Sequence, residues 1–439
     1  MKDRIAIKSA PCNGQEMIDL MKLLWPINRS ISGDGLRETL KILFSFFEDS
    51  KIHEVSSGTK ALDWTVPEEW KVKSAILVGP ENEIIADFKK NNLHLVGYSI
   101  PVDLVLELED LLEHIYTLPD QPEAIPYVTS YYKKTWGFCI SENAKNKLKQ
   151  GKYKVKIDSS HFDGSISWGE LFFPGKVEKE VFFSTYCCHP SMANNELSGP
   201  CLATAIANWI RQKDNYYSYR FVFAPETIGS AAILESKKDY LKENVIAAFN
   251  LTCVGDERDW SFLPSRQENT YTDKVAKYCM DAFLGSYTEY SWLDRGSDER
   301  MYCAPMIDLP MVNVMRTKHG VYPEYHTSLD TIGNVVTAKG LQDSFDFYKK
   351  MIDVIENDCV PTSLVIGEPQ LGKRSLYPNI SKKGSNSNTR NMVNLISYSD
   401  GKKSLLEIAK KCNIPFFTIL KELNTLVNND LIEKRDLNL

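Results

Sequence analysis

The chain has 439 residues, 43% of them hydrophobic and 25% charged, with a formal net charge of -6. This is ordinary globular composition in a chain too long for one average core, so two or three domains are expected. The charge balance gives no general attraction to nucleic acid or to an anionic membrane, and no run approaches the roughly 20 apolar residues of a membrane helix.

The opening stretch, MKDRIAIKSAPCNGQEM, holds no apolar core of signal-peptide length, which predicts a cytoplasmic protein. Ten cysteines without a CxxC pair predict free thiols used as small core residues, not disulfides or a thiolate zinc site.

In chain order, MIDLMKLLWPI and LRETLKILFSFFEDS carry apolar stripes at helical spacing, separated by the turn-rich NRSISGDG. From about residue 56 to 172, short β-rich runs recur: KSAILVG, LHLVGYSI, WGFCI, YKVKID and SISWGELFFPG. Among them DLVLELEDLLEH reads as helical and QPEAIPYVTSYY as a Pro-rich aromatic loop. From about 176 strands and helices alternate, beginning with EVFFSTYCC and PCLATAIANWIRQ and closing with TAKGLQDSFDFYKKMIDVIEN. That alternation predicts an α/β fold, a sheet flanked by helices on both faces, with functional residues at the carboxyl ends of its strands. The expected division is an α/β domain from 1–55 and 173–360, a β-rich insert at 56–172, a linker at 361–389 and a winged helix at 390–439. The last rests on the helix, turn, helix and short strand of SLLEIAKKCNIPFFTILKELNTLVNNDLIEK. Its helix IPFFTILKELNTLV is mostly apolar, which argues against nucleic acid as a partner and for a protein–protein or dimerisation role.

Polar clusters follow the strands: Cys188-His189-Pro190, then Asn194-Asn195-Glu196 ahead of a helix, Pro225-Glu226-Thr227, Thr252 to Glu257, Arg295 to Arg300, and Tyr325-His326 through Thr331. Each alone reads as capping, an ion pair or a structural imidazole. Together they put His, carboxylate, carboxylate and His in order at strand ends. That mixture of nitrogen and oxygen donors suits a catalytic zinc with one open position.

These motifs resemble the zinc-dependent exopeptidases of the aminopeptidase type. More closely, the chain is similar to bacterial aminopeptidase-like proteins with a β-rich insert and a C-terminal winged helix, often found among polysaccharide-biosynthesis proteins. The phrases that carry the match are LWPINRSISGDG, LPDQPEAIPYVTSYY, CCHPSMANNELSGP, FAPETIGS, LTCVGD, RGSDER and PEYHTSLDT. The resemblance implies a zinc-exopeptidase-like mixed sheet, with His189 and His326 as the first and last metal-binding histidines and Glu226 in a segment that normally holds a Glu-Glu pair. Asn195 stands where an aspartate normally bridges two zincs, and Thr252 where a further aspartate binds. With those anionic donors missing, one zinc ion on His189, Glu226 and His326 is expected rather than two, with Asn195, Asp256 or Glu196 as further oxygen donors.

If Glu226 binds the metal, the general base is Glu196, Asp256 or Asp298; if Glu226 is the base, the metal needs Asp256. Both assignments stay open. Arg295, Asp298, Glu299, Arg300 and Tyr325 are the expected substrate-binding residues: Arg295, Arg300 and Arg316 suit an anion or the neighbouring acids, and Glu196, Asp298 or Glu299 suit a substrate ammonium. Tyr127 to Tyr132 read first as core or surface aromatics and second as a roof over the cleft. The expected function is zinc-dependent hydrolysis of an amide in a small peptide or amide substrate by a homo-oligomer. The alternative is a binding or regulatory protein that kept the scaffold and lost the chemistry.

Overall fold

The computed structural model describes residue 7, residues 9–376 and residues 387–437. The chain divides into two compact units, Met1–Asp273 with Tyr287–Asp346, and Lys274–Ser286 with Phe347–Leu439.

The first unit is organised by an eight-stranded mixed sheet. Its spatial order is Lys51–Ser56, Ser165–Phe173, Ser218–Ala224, Glu180–Tyr186, Val245–Asn250, Met311–Met315, Ser261–Leu263 and Thr288–Glu289. The four central strands run parallel. Every residue in them is buried, which is why EVFFSTY, SYRFVFA, VIAAFN and MVNVM are nearly continuous apolar runs without clear alternation. Parallel neighbours need long crossovers; the helices Ser198–Ile210 and Ile228–Asn244 occupy two of them. Phe183 stacks on Phe221 at 4.8 Å and on Phe249 at 5.2 Å, tying three adjacent strands together.

The strand Ser165–Phe173 pairs antiparallel with both Lys51–Ser56 and Ser218–Ala224. It therefore lies in the central sheet and not in the inserted module where SISWGELFFPG was expected. Alternating burial in a half-exposed module and complete burial in a central sheet are hard to tell apart over nine residues. The inserted module itself is a four-stranded antiparallel sheet in the order Ile84–Asp87, Glu69–Val78, Lys152–Phe162, Val102–Glu107. Here DLVLELEDLLEH, expected to be helical, is a strand as far as Glu107 and a helix only over Leu108–Leu112. The Val-Asp-Leu-Val-Leu-Glu run pairs with 152–157, and sheet pairing overrides its helical propensity. LHLVGYSI, expected as a strand, begins with a single 3-10 turn at Asn92–His94.

The insert is tied to the loop after the strand Met311–Met315. Tyr127 N–H donates to His326 O at 3.0 Å, Ser328 N–H donates to Ile125 O at 2.9 Å, and Gln121 Nε2 donates to Pro323 O at 2.7 Å. These bonds, two between backbones and one from the Gln121 side chain, tie the aromatic segment of the insert to the loop that carries His326.

In the second unit the helices Ser387–Tyr398, Leu405–Cys412 and Phe416–Val427 are followed by the strand Ile432–Arg435. Ser404 and Glu407 form a capping box at the start of Leu405–Cys412. The strand pairs antiparallel with Val360–Ser363, so the expected linker at 361–389 begins with a strand of the winged helix. Pro361 disguised it, being tolerated on the edge strand of a two-stranded ladder. Part of that linker, 377–386, lies outside the described residues. Among the described residues no helix is long and apolar enough to cross a membrane. All ten cysteines are free thiols.

The stacked sheet core gives a direct stability test. Phe183→Ala removes the ring shared by three strands and should cost about 3–5 kcal/mol, read as a lowered midpoint in urea unfolding followed by circular dichroism. A loss below about 1 kcal/mol would show that the stack contributes little beyond filling space.

Candidate metal centre

Three parallel strands deliver their last residues to one edge of the sheet. Glu180–Tyr186 leads into Cys188 and His189, Ser218–Ala224 into Glu226, and Val245–Asn250 into Thr252. His326 arrives from the loop after Met311–Met315. This is the edge where open α/β sheets place ligands.

The backbone is locally strained at each of these points. Ser191, Thr227, Cys253 and His326 have φ of 49°, 66°, 52° and 57°. A β-branched residue such as Thr227 rarely adopts that region, and each such residue costs on the order of 1–3 kcal/mol. Ala193–Leu197 forms a single π-helical turn that runs into Ser198–Ile210 and buries Asn194, Asn195 and Glu196. Gly199 lets this helix start approach the neighbouring strand: a β-carbon there would lie 2.2 Å from Leu251 O.

His189 is gripped from behind. Its Nδ1 lies 3.0 Å from Glu196 Oε2, and since a carboxylate only accepts, Nδ1 carries the proton and donates. Glu196 Oε1 in turn accepts from Arg29 Nε at 3.3 Å, with both side chains fully buried. Arg29 Nε also donates to His189 O at 3.2 Å, and its Nη1 donates to Leu24 O at 2.7 Å. The lone pair on Nε2 of His189 is thereby left for the cleft, where Glu226 Oε2 stands 3.6 Å away. Burial alone would push the His189 pKa down, but the charges of Glu196 and Glu226 hold it above the ordinary value. Burial raises the Glu226 pKa, against the pull of His189 and Arg300.

His326 is set beside this pair. Its ring lies 5.5 Å from that of His189, stacks on Tyr325 at 3.8 Å and meets the edge of Tyr127 at 5.2 Å. Its Nε2 is buried without a hydrogen-bond partner. Burial, followed by the charge on His189, lowers its pKa to about 3, so the imidazole is neutral at physiological pH.

His189, Glu226, Arg300 and His326 line one cleft of about 450 Å³ together with Cys188, Tyr127, Tyr131, Tyr132 and Trp64. The other expected site residues sit elsewhere. Asp256 accepts from Asn194 Nδ2, Thr317 N, Thr317 Oγ1 and Arg258 N at 2.8–3.0 Å, so both oxygens serve to fix loops. Glu299 accepts from the backbone of Gly296 and Ser297 and from the amides of Asn250 and Asn313, which makes it a brace and leaves it outside the cleft. Asp298 lies behind Glu226, accepting from Thr227 N and Ser230 Oγ at 2.8 Å through Oδ1. Its Oδ2 has no partner, and burial with the nearby Glu226 charge raises its pKa to about 7. Arg295 is exposed and lies over Trp292. Arg316 is buried against Trp260 and Asp259 O. Tyr325 packs on His326 and does not line the cleft.

Asn195 and Thr252 are joined through one phenol. Asn195 Nδ2 donates to Tyr186 OH at 2.7 Å, and Tyr186 OH lies 2.6 Å from Thr252 Oγ1. Asn195 Oδ1 is buried without a partner. Asp330, four residues after His326, accepts the N–H groups of Asn194 and Asn195 at 2.8 and 2.9 Å, so the loop that carries His326 also caps the π turn.

The donor types that line the cleft are those a zinc ion takes. His189, Glu226 and His326 line the same cleft, and His189 has the carboxylate hydrogen bond on its far nitrogen that metal-bound histidines usually have. Among the described residues, the group whose ligand atoms all lie within 4.8 Å of one another is Cys188, His189 and Glu196; His189, Glu226 and His326 do not form such a group. There, however, Glu196 is engaged by Arg29, Cys188 Sγ accepts Glu226 N–H at 3.2 Å, and burial pushes the thiol pKa well up. The sequence gives no sign of Arg29 or of Cys188 as site residues, and of the two readings of Tyr127 to Tyr132 the cleft position, ranked second, is the one that Tyr127, Tyr131 and Tyr132 take. Arg29 appeared only within the phrase LWPINRSISGDG, 167 positions from its partner Glu196.

Residues 18–358 match the family described as a domain of unknown function, DUF4910, and residues 360–434 match a winged helix-turn-helix family. A Clostridium acetobutylicum protein named for polysaccharide biosynthesis and an aminopeptidase-like domain is 39% identical over 432 residues, which cover 97% of this chain and 98% of its own length. A crystal structure of a C. acetobutylicum protein named as a peptidase superposes with a TM-score of 0.89 at 38% identity, over 96% of each chain. The zinc aminopeptidase BSAP of Bacillus subtilis gives a TM-score of 0.57 at 13% identity, over 79% of this chain and 95% of its own. An M28 peptidase precursor of Shewanella amazonensis gives 0.56 at 12% identity, over 82% and 95%. These last two likenesses speak to fold alone. The chain belongs to the DUF4910 family of aminopeptidase-like proteins, with a winged helix-turn-helix at its C-terminal end.

Proposed function

We propose that the cleft is the active centre of a hydrolase that binds one zinc ion through His189, Glu226 and His326 and cleaves an amide bond. The observation that carries this is the pair of imidazoles that line one cleft with Glu226: one donates from Nδ1 to Glu196, the other is buried with Nε2 unpartnered. A bound zinc ion would lower the pKa of its water towards about 7 and polarise the scissile carbonyl.

The protein's own part is orientation and proton handling. Arg29 and Glu196 hold His189 in one tautomer. Glu226 is the one carboxylate among the described residues that lines the cleft. Behind it, Asp298 keeps a carboxyl that titrates near neutrality, with one oxygen unpartnered. With Glu226 on the metal, this favours Asp298 as the proton acceptor over Glu196 or Asp256, whose oxygens are already engaged. Tyr127 and Tyr131, linked OH to OH at 2.9 Å and kept neutral by burial, add O–H groups to the cleft wall.

One observation favours the alternative of a binding protein. Asn195 and Thr252, at positions where the resemblance implies anionic ligands, are neutral and bonded to Tyr186, which leaves a single carboxylate in the cleft.

Purified protein should hold close to one equivalent of zinc by elemental analysis, and His189→Ala or His326→Ala should each weaken binding at least a hundredfold. Two equivalents in the parent protein would contradict the single site. Zinc-loaded protein should hydrolyse amides and Glu226→Gln should abolish this; full zinc occupancy with no turnover across an amide panel would favour the binding reading. Glu196→Gln should lower zinc affinity about 10–100-fold and destabilise the fold by about 3–5 kcal/mol by leaving the Arg29 charge buried and unpaired. Adding Arg29→Met to Glu196→Gln should restore stability in urea unfolding but not zinc affinity; recovery of both would rule out an orienting role for Glu196.

A further inference from the structure

We infer that the cleft is built for a small amide that carries a negative charge and no free α-ammonium. The inference rests on the reading of this cleft as an amide site, and it concerns which amides enter.

A substrate ammonium withdrawn from water needs a carboxylate to receive it, because an unpaired buried charge is costly. Among the described residues that line the cleft, Glu226 is the sole carboxylate, and it already faces His189 at 3.6 Å. The three acids that the sequence offered for an ammonium are all behind the wall. Glu196 is paired with Arg29, Glu299 is surrounded by four hydrogen-bond donors, and Asp298 is fully buried under Thr227 and Ser230.

The cleft instead offers a cation. Arg300 lines it with an exposed side chain. Its guanidinium is aimed by a hydrogen bond from Nη2 to Thr227 Oγ1, a neutral acceptor on the strained residue after Glu226, and it forms no ion pair among the described residues. An arginine fork of this kind receives a carboxylate in two parallel hydrogen bonds.

Opposite the sheet edge, the insert presents an apolar clamp. Trp64 and Tyr132 are 39% and 59% exposed, with ring centroids 6.3 Å apart and planes tilted by 44°. Tyr132 OH is anchored on Thr65 O at 3.3 Å, which holds the ring in place while its face stays open. Exposed aromatics grouped on a cleft mark a contact for an apolar body. A volume of about 450 Å³ is that of a small-molecule site. The fitting substrate class is therefore an N-acylated amino acid or a similar amidated acid, with its carboxylate on Arg300 and its body against Trp64 and Tyr132. Water adds across the C–N bond to give a carboxylate and an amine, and no other reactant is required.

The test is a calorimetric titration of the zinc-loaded full chain with N-acetylphenylalanine and, separately, with phenylalanine amide, which share the ring and differ in charge. The N-acetyl acid should bind at least tenfold more tightly. Arg300→Met should remove that preference at unchanged zinc content, and Arg300→Lys should restore part of it. Equal or tighter binding of phenylalanine amide, a preference that survives Arg300→Met, or no binding of either compound up to millimolar concentration would overturn the inference. The parent protein alone decides the first and last of these, so a poorly folding variant does not block the test. Preferential binding of the N-acetyl acid without turnover supports this inference while contradicting the hydrolase reading. Turnover of phenylalanine amide without that preference does the reverse.

Discussion

The site depends on a buried chain of charge from Arg29 through Glu196 to His189. Arg29 and Glu196 are both fully removed from water, and two such ions persist only where their attraction and hydrogen bonds offset the desolvation. Arg29 meets that condition with backbone carbonyls as well as Glu196. Because it also donates to His189 O, the same guanidinium fixes both the position of the histidine and, through Glu196, its tautomer. Removing Arg29 or Glu196 leaves the other's charge stranded in the core. The arrangement therefore couples the integrity of the fold to the orientation of one imidazole.

A second constraint works through the backbone. The left-handed residues Ser191, Thr227, Cys253 and His326 fall at four of the loops that meet over the sheet edge. Strain of that kind persists only where surrounding contacts over-determine it. Here those contacts are visible: Asp330 caps the π turn that carries Asn195, Asp298 receives Thr227 N, and the insert clasps His326 O through Tyr127 N. Acids that look catalytic in the sequence are mostly the clamps that hold this edge together. That is why Asp256 and Glu299 are rich in hydrogen bonds and absent from the cleft lining.

Much of this was legible in the sequence where a physical signal was local. Continuous apolar runs ending in His189 and Glu226 announced buried strands with polar tips, and the structure puts both residues in the cleft with His326. The rest depended on distance along the chain. Nothing near Arg29 points to a carboxylate 167 residues away. The tyrosines of the insert look like ordinary core aromatics until Tyr127 N bonds His326 O across the fold. The strand at 102–107 was masked by residues of good helical propensity, and the first strand of the winged helix by Pro361. Partner strands decide such cases, and partners are what a single sequence does not display.

On the proposed assignment, metal sits on the cleft face of His189 and not on the Cys188–Glu196 side. Anomalous diffraction from crystals of the zinc-loaded protein, collected on both sides of the zinc absorption edge, measures this directly. One peak is expected, bounded by His189 Nε2, Glu226 and His326 Nε2. A peak among Cys188 Sγ, His189 Nδ1 and Glu196, or a second peak at Asn195 and Thr252, would contradict it.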